Sequence, residues 1–326
     1  MSVTDRCNLR CSYCMPSEVF GPDFTFMARA ELLSFEEIER LCRAFAEQGV
    51  QKIRLTGGEP LLRAELPRLV AMLAQIAGIE DIALTTNGTM LTGKAQALRE
   101  AGLGRVTVSL DALDGGVLRS ISHRPFPLAR VLAGIDAAAQ AGLAPVKINM
   151  VVRRGANDHC ILEMAEHFRG RGEILRFIEY MDVGSTNGWR HSDVVPAAEI
   201  REAIERRWPL EPLAPNAPGE VATRWRYRDG AGEVGFIHSV SEPFCSSCTR
   251  ARLSADGRLY TCLFATAGED LRGMLRAGAS DAELARRIGE VWGARTDRHS
   301  AERALAGASA QRAAKAPKIE KSYIGG

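Results

Sequence analysis

Six of the eight cysteines in this chain form two triplets, one near each end of the sequence. Each triplet supplies three thiolate ligands, whereas a closed structural zinc site needs four tetrahedral donors. A cubane iron–sulfur cluster held by three thiolates keeps one iron open to a substrate or a cofactor. The spacing predicts a redox enzyme with two such clusters, whose ligands are Cys7, Cys11 and Cys14 for the first and Cys245, Cys248 and Cys262 for the second.

The first triplet follows a very short β run at residues 1–4. It would therefore lie on a loop at the C-terminal end of a strand, which is the catalytic face of βα barrels. Short β-branched runs then alternate with helical patterns along the next part of the chain. This alternation predicts βα units and a parallel sheet, with strands over 52–56, 81–86, 105–110, 146–152 and 174–178.

The two remaining cysteines are predicted to be core residues. Ser34 and Glu37 form a capping box that predicts the start of a helix, and Cys42 lies on the apolar face of that helix. Cys160 has a similar place in a later helical pattern. Neither cysteine is therefore expected to bind a metal.

Three of the predicted strands have one polar and one apolar face, because residues two apart point the same way. The polar positions are Lys52 and Arg54, Thr107 and Ser109, and Lys147 and Asn149. Strands covered by helices on both faces are apolar throughout. One face of the sheet is therefore predicted to line a polar cavity, with solvent-exposed edge positions as the alternative.

Length and composition limit the class of protein. The 326 residues, 46% of them hydrophobic, allow one large or two ordinary domains. We predict two, residues 1–193 and 194–326, with a proline-rich spacer at 209–218. The sequence has no apolar run of spanning length, and a net charge of +2 is too small to indicate nucleic-acid or membrane partners. Clustered cysteines without a signal peptide fit a reducing compartment, so we predict a cytoplasmic protein.

The first triplet, with Tyr13 before its last cysteine, resembles the signature of the radical S-adenosylmethionine (SAM) superfamily. The strand at 52–56 leads into Thr56-Gly57-Gly58-Glu59-Pro60, which resembles the superfamily's GGEP element. Glycines there let the backbone approach the methionine amino group of SAM. The resemblance implies that SAM chelates the open iron of the first cluster and is surrounded by Tyr13, Gly58, Ser109 and Met181.

The sequence around the second triplet resembles the GTP 3′,8-cyclases of molybdenum cofactor biosynthesis. The resemblance covers nearly the whole chain, including the run from Phe244 to Ser254, Leu263-Phe264, the opening Ser2 to Cys7 and the terminal Gly325-Gly326. It implies an α/β fold, a partial, incomplete parallel βα barrel of about six βα units, followed by a C-terminal iron–sulfur-binding α+β domain. The alternative for the second triplet is a zinc site of three cysteines completed by His238.

Basic residues on the polar face indicate an anionic substrate. Arg250 and Arg252 point the same way in an extended segment, and they join four basic residues of the predicted strands, Lys52, Arg54, Lys147 and Arg176. Such a group in a nearly neutral protein favours a polyphosphate, although each residue alone can be a surface ion-pair partner. The resemblance implies that the residues in contact with GTP are Arg54, Thr85, Lys147, Arg250 and Arg252.

The resemblance also implies the reaction, conversion of GTP to 3′,8-cyclo-7,8-dihydro-GTP, with two 4Fe–4S clusters and SAM as cofactors. The first cluster, reduced by one electron, cleaves SAM and yields a 5′-deoxyadenosyl radical, which removes hydrogen from C3′ of the ribose. The sugar radical adds to C8 of guanine, whose base the second cluster holds. The implied partners are GTP, a one-electron donor and the cyclic pyranopterin monophosphate synthase that receives the product. Whether the protein forms a homodimer is left open.

The two ends of the chain lead to further expectations. Members of the family have a longer leader with a basic residue that contacts the GTP phosphates, whereas six residues precede Cys7 here. We therefore expect weaker GTP binding and lower stability than in an N-terminally extended form. Equal Michaelis constants and melting points for the two forms would contradict this. The Gly-Gly end, which lacks side chains, is expected to enter the active site, with a frayed terminus as the alternative.

Two other functions stay open at this point. A different radical SAM enzyme with an auxiliary cluster, of the peptide-maturase type, would share the first triplet and GGEP but not the Arg250/Arg252 pair. A non-catalytic metal-binding module would contain one zinc and no sulfide, whereas two cubane clusters require about eight iron and eight sulfide per chain. The products formed from GTP and the metal content distinguish these possibilities.

Overall fold

The computed structural model of this chain describes residues 1–243, 245–298 and 318–325. The main sheet contains eight strands, β1 Lys52–Leu55, β2 Asp81–Thr86, β3 Arg105–Ser109, β4 Lys147–Val152, β5 Ile174–Glu179, β6 Leu210–Leu213, β7 Thr223–Tyr227 and β8 Glu233–Ile237. Their order is β1-β2-β3-β4-β5-β8-β7-β6. Strands β1 to β5 and β8 are parallel, and β7 and β6 continue the sheet in antiparallel pairs. This sheet confirms the predicted α/β class.

The helices alternate with the strands from β1 to β5, as predicted, and also lie before and after this region. They are α1 Phe35–Glu47, α2 Leu66–Ala74, α3 Ala95–Glu100, α4 Gly115–Ser122, α5 Leu128–Gln140, α6 Ile161–Phe168, α7 Ala197–Glu205, α8 Leu271–Arg276, α9 Asp281–Gly293 and α10 Lys321–Ile324. The predicted capping box of Ser34 and Glu37 begins α1, and Cys42 and Cys160 are buried in the core as predicted. Within the described ranges, the helices are all too short or too polar to cross a membrane.

Alternation along the parallel strands separates an apolar face from a polar face. Ile53 and Leu55 of β1 and Ile148 and Met150 of β4 are buried in one core together with residues of α1 and α2. The residues between them in β4 are half-buried, and Lys147 and Asn149 are polar. Helices thus cover the apolar face, and the polar face is free to form the site.

Two details differ from the sequence-based expectation. The strand predicted over 1–4 is reduced to one bridge between Ser2 and Thr56. The carbonyls of residues 4 and 6 instead accept hydrogen bonds from the backbone of the turn that follows β1. The first half of the predicted spacer at 209–218 is a strand, β6, in which Pro212 is tolerated at the edge of the sheet.

The first strands after residue 194 belong to the main sheet and not to a separate one. Strands β6 to β8 extend the main sheet, so the predicted boundary between 1–193 and 194–326 falls inside it. A second, smaller sheet follows, with β9 Arg252–Leu253, β10 Arg258–Tyr260 and β11 Glu269–Asp270 in the order β11-β10-β9. The division into two domains stays a prediction.

Candidate active site

The first cysteine triplet lies on a loop that other residues hold in place. The backbone N–H groups of Arg10 and Ser12 donate to the carbonyls of Ser122 and Ile121 at the end of α4, both at 2.8 Å. The Arg10 guanidinium also donates to the carbonyl oxygen of Cys7 at 2.8 Å. The backbone is therefore fixed without use of the cysteine sulfurs.

The surroundings of these three sulfurs fit an iron–sulfur cluster. All three side chains are half-buried and none is in a disulfide. Burial raises the pKa of Cys7 to about 12 and also raises the pKa values of Cys11 and Cys14, so the thiolates need a cationic partner such as iron. The backbone N–H of Leu9 lies 3.4 Å from the Cys7 sulfur, and hydrogen bonds to sulfur tune iron–sulfur clusters.

The GGEP turn packs against the chain's own N-terminal segment. The backbone N–H of Gly58 donates to the Thr4 carbonyl and that of Glu59 to the Arg6 carbonyl, both at 2.8 Å. A Cβ atom on Gly58 would lie 2.5 Å from the Arg6 carbonyl carbon, and one on Gly57 would lie 2.6 Å from the Thr4 oxygen. The glycines thus permit close contact within the chain, in addition to the approach to SAM that the resemblance implies.

Glu59 holds the same turn from inside the protein. Its carboxylate, which is 1% exposed, accepts from the N–H groups of Leu61 and Asn87 at 3.0 and 2.8 Å and from the Thr86 hydroxyl at 2.7 Å. Burial raises the pKa of Glu59, and these hydrogen bonds oppose the rise. The carboxylate therefore connects the turn after β1 to the end of β2.

Replacing Gly58 with alanine should destabilise the protein by about 3 kcal/mol, because the added methyl group meets backbone atoms that cannot rotate away. Thermal unfolding followed by circular dichroism measures the effect. The matched control is Gly93→Ala, where nothing lies within 4 Å of the added Cβ atom. Equal melting temperatures for the two variants would contradict the close packing of the GGEP turn on the N-terminal segment.

The four residues assigned to SAM by resemblance lie at one edge of the sheet. Ser109 ends β3, while Gly58 and Met181 follow β1 and β5, and the carboxyl ends of parallel strands meet at the same edge. Tyr13 of the cluster loop joins this edge, because its hydroxyl donates to the Asp111 carboxylate at 2.7 Å. The structure thus brings these residues to the side of the sheet where the first triplet lies.

Two guanidinium groups are oriented on the polar face by neutral acceptors. Arg54 donates to the hydroxyls of Thr85 and Thr107 at 3.1 and 3.2 Å. Arg176 donates to the side-chain oxygen of Asn149 at 3.0 Å and to the Thr107 hydroxyl at 3.4 Å. Because these acceptors carry no charge, the hydrogen bonds themselves neutralise neither guanidinium group, which favours an anionic ligand.

Burial and mutual repulsion disfavour the charged forms of these residues. Burial, followed by the charge of Arg105, lowers the pKa of Arg54 to about 10. Burial, followed by Arg54, lowers the pKa of Arg176 to about 9, and burial, followed by Arg176, lowers that of Lys147 to about 8. The negative charge of Glu220 opposes the lowering of the pKa values of Arg176 and Lys147. A group of partly desolvated cations favours a polyanion that would pair with them.

Lys52 differs from the other basic residues of the strands. Its side chain is exposed, and its ammonium group lies 3.4 Å from the Asp81 carboxylate, which also pairs with Arg105. The structure therefore places Lys52 as a surface ion-pair partner, the alternative considered for each of these residues. It shares a face with Arg54 but lies at the start of β1, where the strand meets solvent.

Arginine side chains surround part of the second triplet. Nε and Nη2 of Arg250 donate to the Cys248 sulfur at 3.3 and 3.2 Å, and Arg295 donates to the Cys248 carbonyl at 2.5 Å. Burial opposes ionisation of Cys248, but hydrogen bonds from Arg250, its charge and Arg295 lower the pKa to about 7. A cavity of about 460 Å³ opens beside Cys245 and Cys248. These surroundings favour the thiolate, the form that ligates iron.

Arg252 lies on β9, which the N-terminal segment connects to β1. The backbone N–H of Ser2 donates to the Leu253 carbonyl at 2.8 Å, and Ser2 also forms the bridge with Thr56. Burial, followed by the charge of Arg250, lowers the pKa of Arg252 to about 10. Its Nε atom is buried and has no hydrogen-bond partner in the described part of the chain. An unsatisfied buried donor of this kind fits an anionic ligand.

The zinc alternative for the second triplet requires His238 as the fourth ligand. In the structure, Nε2 of His238 hydrogen-bonds with the Thr223 hydroxyl at 2.8 Å, and Nδ1 lies 3.8 Å from the Glu242 carboxylate. Among the residues that the structure describes, no three or more cysteine, histidine or acidic side chains have the spacing for a single metal ion. Both ring nitrogens of His238 thus lie near groups other than the cysteines of the second triplet.

The C-terminal tail is docked rather than frayed where the structure describes it. Ile324 at the end of α10 is 0% exposed. Gly325 adopts φ of +71°, and a Cβ atom there would clash with the Thr56 side chain beside the GGEP turn. This position agrees with the expectation that the tail enters the active site. Gly326, like Phe244 of the second motif, lies outside the described residues.

Three contributors to the site were missed by sequence reasoning. They are Asp111 as the partner of Tyr13, Glu59 as the anchor of the GGEP turn, and Lys321, whose ammonium group lies 5.6 Å from the centroid of the Tyr13 ring. A signal existed for Asp111, because it follows Ser109 by two residues and so shares its side of an extended chain. Lys321 lies in a short tail segment with no periodic pattern to indicate its contacts.

The chain is similar to known proteins over its whole length. Residues 1–168 match the Radical SAM superfamily and residues 174–301 match Molybdenum Cofactor Synthesis C. A GTP 3′,8-cyclase from Acidothermus cellulolyticus is 55% identical over 100% of this chain and 95% of that protein. A protein of the same name from Xanthomonas axonopodis pv. citri is 54% identical over 93% of this chain and 90% of its own length. One from Staphylococcus aureus is 49% identical over 100% of this chain and 95% of its own length.

Proposed function

This chain belongs to the radical SAM superfamily and, within it, to the GTP 3′,8-cyclases, and we propose that its site converts GTP to 3′,8-cyclo-7,8-dihydro-GTP. The reaction is that of a radical SAM lyase and is the first step of molybdenum cofactor biosynthesis. One observation carries the proposal: partly buried cations share a polar sheet face, and the N-terminal segment links that face to the strand of Arg252, next to the second triplet.

The proposed cofactors are two 4Fe–4S clusters and SAM. Their ligands are Cys7, Cys11 and Cys14 for the first cluster and Cys245, Cys248 and Cys262 for the second. With SAM bound, the first cluster supplies a 5′-deoxyadenosyl radical. The protein's part is to orient SAM at the sheet edge with Tyr13, Gly58, Ser109 and Met181. The hydrogen bond from Tyr13 to Asp111 supports this role, because it fixes the aromatic ring beside the cysteines.

We assign the binding of GTP to Arg54, Thr85, Lys147, Arg250 and Arg252. Removing phosphate charges from water requires charge-assisted hydrogen bonds, which the partly desolvated cations of the polar face can donate. Arg250 also touches the Cys248 sulfur, so the segment 250–252 connects the phosphate site to the second triplet, where we place the guanine. Holding C3′ and C8 in a fixed geometry restricts the radical to one hydrogen atom.

The proposed partners follow from the reaction. The first cluster needs a one-electron donor, and the product passes to a cyclic pyranopterin monophosphate synthase. We propose a cytoplasmic location, which is supported by the cysteine usage: all eight cysteines are free, and six of them have the spacing of cluster ligands.

The test is anaerobic turnover of the reconstituted protein with GTP, SAM and dithionite, followed by mass spectrometry. We expect 5′-deoxyadenosine together with an isomer of GTP whose mass is unchanged. Deoxyadenosine without the isomer would contradict GTP as the substrate and favour a peptide-modifying radical SAM enzyme. If neither product formed in a preparation with about eight iron per chain, the radical chemistry itself would be contradicted.

A further inference from the structure

A positive charge on the C-terminal tail lies beside the first triplet. The Lys321 ammonium group is 5.6 Å from the centroid of the Tyr13 ring, and the hydroxyl of that ring bonds the Asp111 carboxylate. Tyr13 lies between Cys11 and Cys14 in the sequence, and the charge of Lys321 interacts electrostatically with the side chains of Cys11, Cys14 and Asp111. Lys321 therefore stabilises negative charge where the first cluster would be bound.

The loop after β5 holds the tail just before Lys321. The Lys318 ammonium group lies 2.5 Å from the Asp182 carboxylate. The Glu320 carboxylate accepts from the N–H of Ser185 at 2.8 Å and from the hydroxyl of Thr186 at 2.9 Å. These contacts give Lys321 a defined position, so its charge acts on the triplet from a fixed place.

We propose that Lys321 raises the reduction potential of the first cluster, because its fixed positive charge favours the reduced form of that cluster. Reduction adds one electron, taken from the one-electron donor, and no proton or atom is transferred in this step. The reduced cluster is more negative by one charge, and a nearby cation stabilises the more negative state. Net charge is one of the properties that set the reduction potential of such clusters. The inference rests on the cluster proposed at Cys7, Cys11 and Cys14.

The test is a redox titration of the reconstituted holoenzyme monitored by electron paramagnetic resonance, in which SAM identifies the first cluster by changing its spectrum. In Lys321→Met the ratio of reduced to oxidised first cluster at a given potential should fall about tenfold, equivalent to about 59 mV for a one-electron couple. Lys321→Arg keeps the charge and should keep the parent potential. Lys321→Glu reverses the charge and should lower the potential further than methionine does.

Hydrogen exchange at the Gly325 amide, which donates to the Lys321 carbonyl at 2.9 Å, shows whether the tail stays docked. If methionine loosens the tail, Lys321→Gln replaces it as the neutral variant. An unchanged midpoint potential in a docked neutral variant would contradict the role of Lys321 and leave the proposed function intact. A parent protein without a SAM-responsive signal would instead overturn the proposed first cluster and, with it, this inference.

Discussion

Replacing Lys147 with methionine should lower kcat/KM for GTP about a hundredfold and at the same time raise the thermal stability of the ligand-free protein. A charge-assisted hydrogen bond to phosphate contributes about 3 kcal/mol to transition-state binding. Without the ligand, the same cation is disfavoured, because burial, followed by Arg176 and Arg105, lowers the pKa of Lys147 to about 8. Methionine preserves much of the side-chain volume and removes the charge.

The same pKa predicts a dependence on pH. The unfolded chain keeps the ordinary lysine pKa of 10.5, whereas the folded, ligand-free protein has a value of about 8. Between these values the unfolded state binds more protons, so the contribution of Lys147 to stability rises with pH over this range. Below pH 8 the full penalty is present, and Lys147→Met should gain about 1–2 kcal/mol there, because solvent screens part of the charge.

GTP binding should show the opposite trend, because it requires the protonated form of Lys147. The affinity of the parent protein for GTP should therefore fall as the pH rises above about 8. Lys147→Arg keeps its charge over this range and should lose much of the pH dependence. Calorimetric melting and steady-state kinetics on the same preparations measure the two effects.

The matched control for Lys147→Met is Lys94→Met, which removes a lysine at the N-cap of α3. It should change the melting temperature and kcat/KM little. If Lys147→Met were less stable than the parent and kept its kcat/KM for GTP, both the crowded cation site and its role in GTP binding would be contradicted.

Strands β1 to β5 could be predicted to within one residue at each end, because β-branched runs and helical patterns alternate with clear periods, whereas the parallel strand β8 was not predicted. Strand β2 matches 81–86, and β5 extends one residue beyond Ile178. The polar face followed from the same alternation, which placed Arg54 and Lys147 opposite the core. In these elements local sequence decides the structure.

The burial of individual side chains and the contacts between distant parts of the chain could not be predicted in this way. Alternation places Lys52 and Arg54 on one face, but only the neighbouring strands decide that Lys52 is exposed and Arg54 half-buried. The tail contact between Lys318 and Asp182 joins residues 136 positions apart. The hydrogen bond between Tyr13 and Asp111 spans 98 positions. No local period encodes such pairs, because they depend on how the finished barrel brings its loops together.

Removing one cysteine from each triplet should separate their functions. Cys11→Ala should abolish formation of 5′-deoxyadenosine, because the first cluster loses a ligand at the SAM site. Cys248→Ala should retain deoxyadenosine formation and lose the GTP isomer. Each variant should hold about four iron per chain instead of about eight, since one cubane cluster remains. Iron analysis and mass spectrometry of the products measure both outcomes.

Cys42→Ala and Cys160→Ala are the matched controls, because both cysteines are buried in the core, at 3% and 2% exposed. Each should keep about eight iron and both products, with a stability loss of about 1 kcal/mol from the small cavity. If Cys248→Ala lost deoxyadenosine as completely as Cys11→Ala, the two clusters would act as one unit, and separate roles would be contradicted.

The electrostatics argue for separate roles, since burial raises the pKa of Cys11 while Arg250 and Arg295 lower that of Cys248. Two arginine side chains thus favour the thiolate at the second triplet, where we place the guanine, whereas burial dominates the pKa of Cys11 at the first.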